Sequence, residues 1–121
     1  FLKAHLQSGI ETVLDIVDFD NVIKDCDLVI SGEGRIDHQS MYGKVPTGVS
    51  QRAKKYGVDT VCIVGSIGEN VGDIYNCITT IESCIDHCCS LENALENASE
   101  NVYKAAFRLA RSIQLGQKMR H

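Results

Sequence analysis

Glu33, Arg35, Asp37 and Lys44 fall within a short stretch near the middle of this 121-residue sequence, DLVISGEGRIDHQSMYGKVP, which runs from Asp27 to Pro46. Gly32 and Gly34 bracket Glu33, and His38, Gln39 and Ser40 add hydrogen-bonding groups before Gly43 and Lys44. Mixed carboxylates and cations at this density suit one task, gripping a small anion together with its cation. A guanidinium fork matches a carboxylate or a phosphate bidentately, and an ammonium serves as a point charge. An ion pair of Arg35 with Glu33 or Asp37, made for structure alone, is the competing account and stays open at this point.

The elements around the stretch make it a site. Leu28, Val29 and Ile30 form a continuous apolar run, expected as a strand covered on both faces of a parallel sheet. The abrupt change to polar residues after Ser31 then falls beyond the strand's carboxyl end, where open α/β sheets bind ligands. Pro46 suits the first position of a helix, since its fixed φ fits and its missing N–H is not needed there. Val45 at the cap has no side-chain oxygen, so the amides of Thr47 and Gly48 seek an acceptor that Ser40, water or an anion beside Lys44 can provide. The pattern is not a P-loop, because His38 and Val45 stand where glycine and a hydroxyl residue are required. Asp37 likewise occupies the place of the third small residue of a dinucleotide fingerprint.

A second strand is expected over Thr60 to Val64, leaving the sheet through Gly65, Ser66 and Gly68. Two such exits side by side make a crevice, and Ser66 is either a ligand-bonding hydroxyl or a turn residue. Helical pieces are expected over Phe1 to Gln7 with a stop at Ser8 and Gly9, over Thr12 to Phe19, and over Asp20 to Cys26 with Asp20 as cap. Val13, Ile16 and Val17 would form one apolar stripe, and Val22 and Ile23 another. Pro46 to Tyr56 reads as a helix ended by Gly57, with Val49, Ala53 and Tyr56 inward and Arg52, Lys54 and Lys55 in solvent. A short helix over Glu69 to Tyr75 and a third strand over Ile78 to Ile85 follow. From a Ser90 cap, Leu91, Leu95, Ala98, Val102, Ala105, Leu109 and Ile113 recur at helical spacing, predicting one long packing helix. Alternating strands and helices define an α/β domain, residues 1–121 forming a single unit.

Composition bounds the function. A net charge of −4 lacks the basic excess that a general nucleic-acid surface needs. No apolar run reaches membrane-spanning length and no signal-peptide pattern opens the chain, so no membrane partner and a cytoplasmic location are expected. Six cysteines are present. Cys26 and Cys62 adjoin apolar runs and read as small hydrophobes, whereas Cys84, His87, Cys88 and Cys89 lack the paired knuckles of a structural zinc site. Reduced thiols are expected, and His87 reads as a surface residue.

The run GEGRIDHQSMYGKVPTGV, together with GIE near the start, a Gly-Ser pair after the second strand and SLENALENASENVYKAAFRLAR at the end, resembles the bacterial glycerate kinase family over essentially the whole chain. The resemblance implies a cytoplasmic, ATP-dependent, Mg²⁺-requiring kinase that phosphorylates a glycerate hydroxyl, in many members the 2-hydroxyl. It further implies a three-layer Rossmann-like domain with a short, mainly parallel sheet, split by a large insertion, of which this chain is the C-terminal part. The family's glycine-rich segment would lie just before Phe1, and the absence of an initial Met suits an excised piece, so the missing N-terminal part is an expected partner and the piece alone is expected to be inactive. Carried onto this sequence, the resemblance gives Asp37 the glycerate hydroxyl proton or a Mg²⁺, with Glu33 the other metal candidate. Arg35 would hold the glycerate carboxylate or a phosphate, and Lys44 with Thr47 and Gly48 the transferring oxygens. Gly32, Gly34, Gln39, Ser40 and Ser66 complete the binding set. A non-catalytic domain that binds a nucleotide or organic acid for assembly or regulation is the alternative, and exposed apolar faces could pair copies into a homo-oligomer.

Overall fold

The computed structural model describes residues 9–38 and 45–120. The chain runs α1 (Gly9–Ile16), α2 (Phe19–Ile23), β1 (Leu28–Ile36), α3 (Val45–Lys54), β2 (Asp59–Ile67), a 3₁₀ turn (Gly72–Asn76), β3 (Thr80–Ser83), α4 (Leu91–Glu96) and α5 (Ala98–Lys118). The strands form one parallel sheet in the order β1-β2-β3. Parallel neighbours need crossovers, and α3 provides the first.

Side chains alternate along β2, so Thr60, Cys62 and Val64 face one side and Val61, Ile63 and Gly65 the other. On the first side, buried Cys62, Val64 and Ile81 pack with Ile36, Ile74 and Ile78. Nearby, Ile23 of α2, Ala53 of α3 and Val58 enclose a second cluster against Val29 of β1. On the other side α5 buries Ala105 and Leu109, and Arg108 crosses to β3, its Nε 2.9 Å from Glu82 Oε1. Helices thus flank a short parallel sheet, which is the α/β architecture expected. The hydroxyl of Thr60, buried in the sheet, has no hydrogen-bond partner.

Several local expectations need correction. Gly9 is helical, within α1, and is not a stop, while the residues proposed for the preceding helix lie outside the described region. The buried residue of α1 is Leu14, while Val13, Ile16 and Val17 are exposed. Asp18, in the left-handed region at φ 56°, precedes α2, and Asp20 is not a cap. Asp20 instead accepts hydrogen bonds from Tyr56 at 2.9 Å and Arg52 at 3.2 Å. Arg52 also reaches Asp15 at 2.7 Å, so it ties α1 and α2 to α3 and is not a solvated residue. The Tyr56 bond first, and Arg52 after it, hold the Asp20 carboxyl below its usual range. Val45 lies inside α3, and β3 is shorter than the third strand foreseen. Ser90 caps α4 as expected, its hydroxyl accepting from the Asn93 amide at 3.1 Å. The long helix is nevertheless broken at Asn97, whose side-chain amide bonds the Asn93 carbonyl at 3.0 Å.

Candidate active site

β1 does not end where the sequence turns polar. It continues through Gly32, Glu33, Gly34 and Arg35 to Ile36, and β2 continues through Gly65 and Ser66 to Ile67. The polar residues that looked like a loop therefore sit on the last turns of two paired strands, with Glu33 opposite Val64 and Arg35 opposite Ser66. Among the described residues β1 is an edge strand, and Ile30 is 57% exposed, so the strand is not covered on both faces.

Close approach of the two strands here depends on missing side chains. A Cβ on Gly65 would lie 2.5 Å from the Gly34 carbonyl oxygen, inside any real contact distance. Gly68 continues the ladder by one rung, its amide donating to the Ile36 carbonyl at 2.6 Å.

Three predicted site residues converge at this end. Arg35 Nε stands 3.7 Å from Asp37 Oδ2, and Arg35 Nη1 stands 3.5 Å from the Ser66 hydroxyl. Arg35 thus pairs with Asp37 and not with Glu33, whose Oε1 accepts from the Gly34 amide at 3.0 Å. The alternation of burial along β1 breaks after Gly34, where exposed Arg35 precedes buried Ile36, and Glu33 lies before that break. Its charge reaches Cys62, whose thiol is pushed up to about 11 by burial first and by Glu33 second. Thr47 and Gly48 occupy the first turn of α3, Thr47 buried and Gly48 packed so closely that a Cβ would meet Ile10 Cγ2 at 2.5 Å. Gln39, Ser40 and Lys44 lie outside the described residues. The arrangement offers an exposed guanidinium fork, a carboxylate and a hydroxyl on one surface, at the carboxyl ends of adjacent strands.

An apolar groove of about 560 Å³ opens beside this cluster. Ile30, Gly32 and Gly65 floor it, and Leu95, Ala98 and Val102 wall it. Among the described residues, no three His, Cys, Asp or Glu side chains are grouped to hold a metal. Cys84, Cys88 and Cys89 are free thiols, and exposed His87 contacts Asp86 at 2.5 Å, which lowers the Asp86 carboxyl. Gly65 and Gly68 are the contributors that pattern reading under-weighted, since a glycine's meaning as empty space depends on which partner the fold brings against it.

A parallel sheet between helices, with a charged cluster where neighbouring strands end, defines an α/β domain with a candidate ligand site. A profile of the glycerate kinase family matches residues 1–114. The chain belongs to that family. It is 42% identical over 120 residues to a glycerate kinase of Bacillus subtilis, covering 98% of this chain and 31% of the relative. A glycerate 2-kinase of Escherichia coli K12 is 51% identical over 75 residues, 62% of this chain and 20% of its own length. The fold superposes with a TM-score of 0.70 and 42% identity on a crystal structure assigned to glycerate kinase 2 of Salmonella typhimurium LT2, covering 95% of this chain and 29% of that one. The chain therefore spans about a third or less of the length of these relatives. No helix among the described residues is long and apolar enough to cross a membrane.

Proposed function

We propose that this chain is the C-terminal part of a split Rossmann-like domain in a cytoplasmic glycerate kinase, and that the cluster of Arg35, Asp37 and Ser66 handles glycerate and phosphate. Family membership supports the reaction class, and the name of the Escherichia coli relative favours the 2-hydroxyl as acceptor. The observation that carries the site is the placement of the Arg35 fork between a carboxylate and a hydroxyl at two adjacent strand ends.

Phosphoryl transfer asks a protein mainly to position the nucleophile and to neutralise spreading charge. Asp37 accepts the proton of the glycerate hydroxyl or helps hold the cation, with Glu33 as the second hard oxygen donor. Arg35 binds the glycerate carboxylate or a phosphate, and Ser66 orients that anion with one hydrogen bond. Lys44, Gln39, Ser40 and the amides of Thr47 and Gly48 hold further oxygens, and Gly32 and Gly34 leave backbone accessible beside them. When bound, ATP with Mg²⁺ supplies the transferable phosphoryl group and part of the neutralising charge. The donor set suits Mg²⁺, which usually takes only one or two carboxylates beside phosphate oxygens and water, and so needs no three-residue protein cage. Partners in this reading are glycerate, ATP and the missing N-terminal part of the parent, without which this piece alone does not turn over.

The test is Asp37→Asn in a full-length kinase that carries this segment, followed by glycerate-dependent ADP release. Loss of a general base or a metal ligand is expected to reduce turnover by about 10²- to 10⁴-fold. A rate close to that of the unaltered enzyme removes Asp37 from the mechanism.

A further inference from the structure

We propose that Gly68 is a positioning residue of this site, present because its missing side chain leaves the space in which Arg35 and Asp37 are held against each other. The inference rests on the reading of Arg35 and Asp37 given above and adds how their geometry is fixed.

A Cβ placed on Gly68 would stand 2.8 Å from Arg35 Nη2, 3.3 Å from Arg35 Cζ and 2.8 Å from Asp37 Cβ. Two of these distances are shorter than real Cβ contacts. The conformation at Gly68 does not itself require glycine, since among the described glycines only Gly57 has a positive φ, at 71°. Space is the requirement. The guanidinium tip could swing aside, because the Arg35 side chain is 60% exposed. Asp37 Cβ cannot move so freely. It follows directly after Ile36, whose carbonyl accepts the Gly68 amide at 2.6 Å, so a methyl group on Gly68 would push against the same short connection that its own amide holds closed.

Either outcome of that conflict alters the site. If Arg35 moves, it leaves the Ser66 hydroxyl at 3.5 Å and the Asp37 carboxylate at 3.7 Å. If the Asp37 backbone moves, the last rung between β1 and the end of β2 opens and the carboxylate is re-aimed. Gly65 differs in kind, because its obstruction is the Gly34 main chain, a matter of strand spacing. Among the described glycines, only at Gly68 do the obstructing atoms belong to the two charged residues assigned to the chemistry.

The experiment compares the unaltered enzyme, Gly68→Ala, Arg35→Ala and the double variant in a full-length kinase carrying this segment, with kcat and KM for glycerate and a thermal melt for each. Gly68→Ala is expected to lower kcat/KM for glycerate about a hundredfold, the scale on which misplacement by about 1 Å acts, while its melt stays cooperative. The double variant is expected to lose less than the product of the single losses, because both changes disturb one pair. Added guanidinium ion is expected to restore part of the activity of Arg35→Ala, and none to the double variant, whose methyl group fills the vacated slot. Independent, multiplicative losses, equal rescue of both variants, or a Gly68→Ala enzyme within twofold of the unaltered one would overturn the proposal. So would loss of the cooperative melt, which would make Gly68 a structural glycine like Gly65. If Arg35→Ala itself is fully active, the reading of the site fails with it, a result distinct from an inactive Arg35→Ala beside an unaffected Gly68→Ala.

Discussion

Arg35 shows how an exposed side chain can still be placed. Its long stem is mostly exposed and has little burial to fix it, and an exposed ion pair contributes little stability, roughly 0–1 kcal/mol. What fixes it is the combination of Asp37, the Ser66 hydroxyl and the bare face of Gly68. Glu33 acts differently, through its charge on the neighbouring face. Cys62 titrates near 9.0 when unfolded and about 11 in the fold, so between those values the unfolded chain releases its proton first. The stability contributed by the protonated thiol is thus complete below pH 9 and is lost as pH rises towards 11, at about 1.4 kcal/mol for each unit crossed. Glu33→Gln removes the second cause of the shift and leaves burial, the larger one. It is expected to move the Cys62 titration to lower pH, read by NMR of the Cys62 Cβ resonance in the intact fold. An unchanged midpoint would place the Glu33 carboxylate away from Cys62.

At the level of the element, the spacing of β1 and β2 at their carboxyl ends decides whether the cluster exists. Gly65→Ala sets a methyl group 2.5 Å from the Gly34 carbonyl oxygen, and main chain cannot step aside as a side-chain tip can. The expected cost is about 1–3 kcal/mol, the usual range for overpacking, seen as a melting temperature lowered by several degrees. A Gly65→Ala chain that melts with the unaltered one would mean the strands are free to separate there. The same strands show what the sequence could and could not reveal. The apolar runs at Val29 and Val61, the Ser90 cap and the helical course of the chain after Pro46 were legible, because each depends on near neighbours. The continuation of β1 through Gly32 to Arg35 was not, because pairing with the far end of β2 extends a strand over residues whose own preferences point to a loop. Asn97 likewise kept the apolar spacing of Leu95 and Ala98 in phase while its side chain closed off α4. Arg52 read as a solvent residue until α1 and α2 brought Asp15 and Asp20 beside it.

On the scale of the whole molecule, the apolar stripe that predicts packing is only partly used. Ala105 and Leu109 of α5 are buried, yet Leu91 is 75% exposed, Leu95 67% and Val102 48%, and Ile30 on β1 faces the same groove. An uncovered edge strand beside an apolar hollow is a template for another chain, and relatives about three times as long have the means to cover it within one molecule. Among the described residues nothing covers it. The isolated chain is therefore expected to form homo-oligomers, its mass by light scattering rising with concentration above that of one copy. Ile30→Lys places a charge on the free edge, the device by which natural sheets block strand addition, and Leu95→Glu places one in the groove wall. Each is expected to return the mass towards a monomer without lowering the melting temperature, since neither side chain is buried in the single copy. A monomeric mass for the unaltered chain at every concentration would show that the open edge is protected by some feature of the chain itself, and would remove the groove as an association surface.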